Sequence, residues 1–175
     1  MSIKPAHAHS TSRDTAIGRV RVEHGETAQA TGTQFQVAQS STAAALPQVL
    51  RVDAPEPIDV TEVQMTVNLG GVNISIFEAA DGTEGGTFTP VSVSNTNRRN
   101  PQAPSFSASA GGTFTPTGDP ILPPMLASVD LGGRSVNERQ LSLPAGTYFF
   151  VTGLLSGVTS FTGQLVLTIS EVLEP

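Results

Sequence analysis

Apolar and polar positions alternate with a period of two along most of the chain, in short runs broken by turn residues. Residues 33–39, Thr-Gln-Phe-Gln-Val-Ala-Gln, place Phe35 and Val37 on one side and glutamines on the other, the pattern of a half-buried strand. Upstream, Ile17, Val20 and Val22 stand among Arg19, Arg21 and Glu23, so the β pattern begins near Ala16. Residues 1–14 follow neither the strand nor the helix period and read as an extended arm. The small residues 40–45 predict a short helical turn. Residues 49–52 predict a strand closed by Ala54-Pro55-Glu56-Pro57, whose prolines have no place in a central ladder. Residues 60–69 and 72–78 alternate on either side of Gly70-Gly71, which predicts a β-hairpin with a tight turn, and Asp81-Gly82 marks its exit.

The middle of the chain is richer in loops. Gly85-Gly86-Thr87-Phe88-Thr89-Pro90 recurs letter for letter as Gly111-Gly112-Thr113-Phe114-Thr115-Pro116. Two copies are too few for a solenoid, which needs about three or more repeats. They predict two similar short strands, each entered by Gly-Gly and ended by Pro. Phe106 lies in a small-residue strand between them, and residues 119–124 form a proline-punctuated excursion. In the last third, residues 140–143 predict a strand with Pro144-Ala145-Gly146 as its turn. Residues 147–151 predict a strand buried on both faces, and Ser156-Gly157 turns the chain again. Residues 161–172 carry Leu165, Leu167 and Ile169 on one face, with Gln164, Val166, Thr168 and Ser170 on the other. Nine or ten short strands with frequent turns imply an all-β fold: a single antiparallel β-sandwich or jelly roll over residues 15–175, with residues 1–14 as its extended N-terminal arm.

Composition narrows the function. The 175 residues include 17 Gly and 13 Pro, an excess that signals turns. Charged residues make up 14%, against a usual fraction of about 25%. Ser and Thr supply the polar surface instead. A net charge of −6 argues against nucleic acid as a partner. No apolar run is long enough for a membrane span, and residues 1–7 lack the apolar core of a secretory signal, so no membrane partner is expected. The chain has no Cys, which excludes disulfides, thiolate metal sites and a Cys nucleophile.

Catalytic chemistry is poorly supplied, and no enzyme activity or cofactor is expected. There is no G-x-S-x-G elbow, no H-E-x-x-H and no P-loop. The three histidines are His7, His9 and His24, and the first two lie in the arm as solvated side chains. The acids Glu23, Glu26, Asp53, Glu56, Asp59, Glu62, Asp81 and Glu84 mostly flank turns. Asp81-Gly82 and Asp130-Leu131-Gly132-Gly133 lack the alternating oxygen ligands of a calcium loop, and turn chemistry accounts for them. With no Trp and one Tyr, the chain is short of platforms for sugar rings. Arg98-Arg99 is the one dense positive spot, set among Asn95 and Asn97. Two readings stand side by side. The arginines pair with carboxylates across an interface, or they tie their own loop to a nearby acid. Lys4 and Arg13 are further interface candidates on the arm.

The succession Asn73-Ile74-Ser75-Ile76-Phe77-Glu78-Ala79, Gly86-Thr87-Phe88-Thr89-Pro90-Val91 and Asn95-Thr96-Asn97-Arg98-Arg99 resembles a group of tailed-bacteriophage virion proteins. The turn Leu143-Pro144-Ala145-Gly146-Thr147-Tyr148 and the final alternating strand belong to the same resemblance, which covers roughly residues 58–172. It implies a head decoration or cement protein with a β-sandwich fold. Such a protein is made in the bacterial cytoplasm, sits on the capsid exterior as a homotrimer and has the major capsid protein as its partner. The arm, about 14 residues at about 3.3 Å each, spans on the order of 45 Å, enough to reach a neighbouring subunit. The alternative is a tail or fibre module binding host-surface glycans through residues 92–104 and 117–137. A small bacterial hydrolase is a third, weaker expectation.

Overall fold

The computed structural model describes residues 32–44, 47–99, 101–129, 134–137 and 141–171. The predicted arm and the pattern at Ile17, Val20 and Val22 lie outside them. The described residues form β1 (Gln34–Ala44), β2 (Gln48–Ala54), β3 (Ile58–Leu69), β4 (Gly71–Glu78), β5 (Gly82–Pro90) and β6 (Val93–Asn95). They continue with β7 (Ser107–Pro116), β8 (Met125–Ser128), β9 (Arg134–Asn137), β10 (Leu141–Leu143), β11 (Gly146–Leu154) and β12 (Phe161–Glu171). One 3-10 turn, Ala79–Asp81, links β4 to β5.

Two antiparallel sheets pack face to face as a sandwich. The first has the order β10-β3-β12-β1-β6, with β9 also paired to β3. Because β10 meets β3 at residues 58–60 and β9 meets it at 63–66, these two short strands lie end to end along one edge. The second sheet has the order β5-β7-β2-β11-β4-β8. Four pairings explain the winding: β1 with β12, β2 with β11, β3 with β10, and β4 with β8. They are successive rungs of one long antiparallel ribbon, and alternate rungs fall in opposite sheets. That is the winding of a jelly roll. Strands β5, β6 and β7 form an insertion at the ribbon's tip.

The strand period sets the core. Phe35 and Val37 of β1, Leu50 and Val52 of β2, Val60, Val63, Met65 and Val67 of β3, and Ile74 and Ile76 of β4 point inward. Tyr148 and Phe150 of β11 and Leu165, Leu167 and Ile169 of β12 close the layer. Burying each large side chain contributes about 1.5–3 kcal/mol. Phe106 seals one margin with its ring edge-on to Phe35, centroids 5.5 Å apart. Ile121 and Leu122 of the proline-punctuated excursion pack against the same core, held where the Ile121 amide donates to the Ile76 carbonyl at 2.8 Å.

Three expectations are corrected. Residues 60–69 and 72–78 are not a hairpin, because β3 and β4 belong to different sheets. Alternation reports which face is buried, and a Gly-Gly turn serves a sandwich corner as well as a hairpin. Residues 40–44 are strand rather than a helical turn: β1 runs on to Ala44, with a register shift between Ser41 and Ala44 opposite β12. The repeat glycines do not enter their strands but sit inside β5 and β7. In addition, Pro144-Ala145-Gly146 joins strands of opposite sheets, β10 and β11. The expected burial of residues 147–151 on both faces is found: Tyr148 and Phe150 face the core, while Phe149 and Val151 face a second apolar cluster outside the sheet.

Two corners show how the chain changes sheets. At Gly70, φ is +83°, and a Cβ there would stand 2.5 Å from the Ser160 carbonyl oxygen and 3.0 Å from Val158 Cγ1. At the second corner, Tyr148 reaches back and donates its hydroxyl hydrogen to the Pro144 carbonyl at 2.7 Å. This tyrosine corner ties the start of β11 to the turn before it. Burial, with a smaller contribution from the Glu78 carboxylate, raises the Tyr148 phenol above its ordinary pKa.

Gly157 shares the positive φ of Gly70, +82°, but a Cβ there would meet nothing within 4 Å. Gly157→Ala is therefore expected to cost about 1 kcal/mol, the backbone strain alone. Gly70→Ala adds the backbone clash and is expected to cost at least twice as much, read from urea unfolding midpoints. Tyr148→Phe is expected to lose about 1 kcal/mol at neutral pH, with the Pro144 carbonyl left unpaired. The raised phenol means that the unfolded chain ionises first. The stabilisation is then complete below about pH 10 and is lost as pH rises through the folded value. Unfolding curves of wild type and Tyr148→Phe are expected to converge as pH rises above about 10.

Candidate functional site

The predicted site residues that fall among the described ones meet in one loop. Strand β6 is the outer strand of the first sheet and pairs with β1 over three residues, Asn95 opposite Phe35. The chain leaves it through Thr96, whose amide donates to the Gln34 carbonyl at 3.0 Å and whose hydroxyl bonds the same oxygen at 3.1 Å. Asn95 organises the loop beyond the strand. Its side-chain nitrogen donates to the Gly32 carbonyl at 2.6 Å and to the Gln102 carbonyl at 3.0 Å. Its side-chain oxygen accepts from the Asn97 amide at 2.7 Å. Asn97 repeats the motif one step on, accepting from the Arg99 amide at 2.9 Å. Two consecutive Asx turns thus fix the backbone that carries Arg98 and Arg99.

Both arginines are exposed. Neither forms an ion pair among the described residues, where the pairs belong to Arg51. The asparagines bond the loop internally, while the tie from Arg98 or Arg99 to a nearby acid is not found among the described residues. Lys4 and Arg13 lie outside them. Glu171 serves the loop's far end instead, where it accepts from the Ser105 amide.

A second arrangement escaped sequence reasoning. The two identical hexapeptides pair with each other: Gly85 lies opposite Thr113, and Gly111 opposite Phe88, with a bulge between. Strand β7 pairs with β2 only over residues 107–110. Beyond that, Gly111 and Gly112 both take positive φ, +92° and +57°. The β5–β7 ribbon bends there and lies over the outer face of its own sheet. Phe114 stacks on Phe149 with centroids 4.2 Å apart and planes at 16°, and it touches Phe77 at 5.6 Å. Phe88 reaches Phe149 at 6.0 Å. Such pairs contribute about 0.5–1.5 kcal/mol beyond their buried area.

Arg51 clamps the ribbon. Its guanidinium bonds Asp53 at 2.9 Å and Glu84 of β5 at 3.1 Å, and it lies 5.8 Å from the centre of the Phe88 ring. Thr147 donates to the same Asp53 oxygen at 2.8 Å. Arg51 and Asp53, two apart on one strand, share a face, which is visible in the sequence. Glu84 is 33 residues from Arg51 and carries no such signal.

Among the described residues, no three His, Cys, Asp or Glu side chains gather into a group able to hold a metal ion. None forms a helix long and apolar enough to cross a membrane. All eight Phe and the single Tyr are buried or half-buried, so no exposed ring offers a sugar platform. No protein-family model, curated protein or solved structure matches the chain.

Replacing Asn95 with Ala removes three hydrogen bonds from the loop. Amide exchange at Asn97 and Arg99 is expected to accelerate by about tenfold or more, the equivalent of about 1.4 kcal/mol. Exchange in β12 is expected to stay unchanged, as native-state hydrogen exchange read by NMR will show.

Proposed function

We propose that this protein is a bacteriophage capsid decoration protein, which binds the outside of the head and stabilises contacts between major capsid subunits. On this reading it is made in the host cytoplasm and ends on the virion exterior. The observation that carries the reading is where the segments behind the phage resemblance fall. Asn73–Glu78 belongs to the buried strand β4, Gly86–Pro90 to the bent ribbon, and Leu143–Tyr148 to the tyrosine corner. Asn95–Arg99 runs from the end of β6 through two Asx turns to the exposed Arg98 and Arg99. These segments shape a body and present a surface, which suits a binding subunit rather than a catalyst.

Other features support it. Charged residues make up only 14% of the chain, and a surface poor in charge suits close contact with a shell. Strand β5, nine residues long, is an outer strand of its sheet among the described residues, and an unpaired edge of that length invites pairing with another copy. A homotrimer, the state implied by the resemblance, is the proposed assembly. Repetition over a shell multiplies weak contacts. The glycan-binding alternative is not favoured, because every aromatic ring is buried or half-buried.

The test is co-sedimentation with capsids assembled from the capsid protein encoded beside this gene. Saturable binding at a fixed ratio per capsid subunit is expected, together with a raised shell melting temperature. Deleting residues 1–14 is expected to weaken attachment while leaving the melting temperature of the free protein unchanged. Failure to bind capsids, with recovery on isolated tails, would favour the host-recognition reading.

A further inference from the structure

We propose that Arg98 and Arg99 form a preformed docking point for a carboxylate-bearing patch on a partner protein; under the decoration reading, on which the identity of the partner rests, that partner is the capsid shell. Three observations converge. The first is charge. The whole chain carries a net charge of −6. Three arginines have side chains among those described, and Arg51 is consumed by Asp53 and Glu84. Arg98 and Arg99 are exposed and form no ion pair among the described residues. Among the described side chains they are the local positive point on an acidic body, one that attracts an approaching carboxylate.

The second is rigidity. An exposed loop ordinarily loses conformational freedom on binding, at a cost of roughly 1–2 kcal/mol per residue. Here Asn95, Thr96 and Asn97 have already fixed the backbone through bonds to Gly32, Gln34, Gln102 and each other. Only the two long side chains remain to be ordered. The third is position. The loop leaves the end of β6, an edge strand of its sheet among the described residues, and so stands at a margin of the sandwich with Arg98 and Arg99 exposed.

The partner's chemistry can be read from these features. A guanidinium presents a planar fork that pairs two donors with a carboxylate. Nucleic acid also attracts arginines, but two cations on an acidic body do not make the extended basic face that a polyphosphate requires. Protein carboxylates are the better match.

Two experiments separate this proposal from the decoration reading. In the first, a ten-residue glutamate peptide is titrated at low salt into isotopically labelled full-length protein. The Arg98 and Arg99 side-chain NMR signals are expected to shift, and Arg98→Gln/Arg99→Gln is expected to weaken binding at least tenfold. Arg98→Lys/Arg99→Lys, which keeps charge but loses the fork, is expected to fall between. A ten-nucleotide DNA strand is the competitor, and tighter binding of it would overturn the choice of carboxylate. In the second experiment, capsid co-sedimentation is repeated with the Gln and Lys variants at two salt concentrations. A tenfold loss with a flatter salt dependence for the Gln variant supports the proposal, and unchanged capsid binding overturns it. If wild type ignores capsids yet the peptide shifts both arginines, decoration fails and the docking point stands. If neither ligand engages the arginines, the docking point falls. Circular dichroism melting of each variant serves as the folding control.

Discussion

Everything in this body depends on a constraint of winding: strands that follow one another along the chain seldom bond to one another. They cross from sheet to sheet, and the ladder hydrogen bonds join strands far apart in sequence. Gln34 of β1 lies opposite Ser170 of β12, and Val52 of β2 opposite Tyr148 of β11. The core between the sheets is the reward for these distant pairings, and each corner must turn tightly enough to permit them. Gly70 meets that demand with a backbone conformation and a closeness to Ser160 that a side chain would disturb. Tyr148 meets it with a hydroxyl bond across its own turn. Both are local devices serving a non-local architecture.

The same constraint explains what the sequence revealed. A period of two reports face, so the strands at 33–39, 49–52, 60–69, 72–78, 147–151 and 161–172 were legible, as were the inward residues Phe35, Val37, Leu165, Leu167 and Ile169. It reports nothing of the neighbour across the ladder. Gly70-Gly71 therefore suggested a hairpin, although the two flanking strands meet across the core. Residues 40–44 carry mostly small side chains and little pattern, so their pairing with β12 had no local signature. The hexapeptide repeat was plain, but its pairing with itself was not, because identity of sequence carries no contact information. Phe149 was legible as buried on a second face. What covers it, Phe114 from the bent ribbon, depends on a backbone bend at Gly111 and Gly112.

The candidate loop shows the opposite balance. Its arginines and asparagines were visible as a cluster, and the asparagines act within a few residues of themselves, through Asx turns that sequence can suggest. Its anchoring to Gly32 and Gln34 is remote and was not visible. Arg51 and the loop arginines, the same residue type, end with contrasting roles. Arg51 is spent holding two parts of the chain together across the outer face of a sheet. Arg98 and Arg99 are held out by a backbone that does not need them.

The central place of β12 also bears on how the protein is made. This strand lies between β1 and β3 and pairs with both along most of its length. A ribosome releases residues at about 5–20 per second, and it must pass residue 161 before β1 and β3 meet the strand that lies between them, although β6, β9 and β10 on their other sides are made sooner. Until then the growing chain carries two long strands whose facing ladders are open, and a half-formed apolar layer. The nascent protein therefore has a window, lasting seconds, in which its own strand edges are available to other chains. The newly made body closes only when its last described strand slides into the gap.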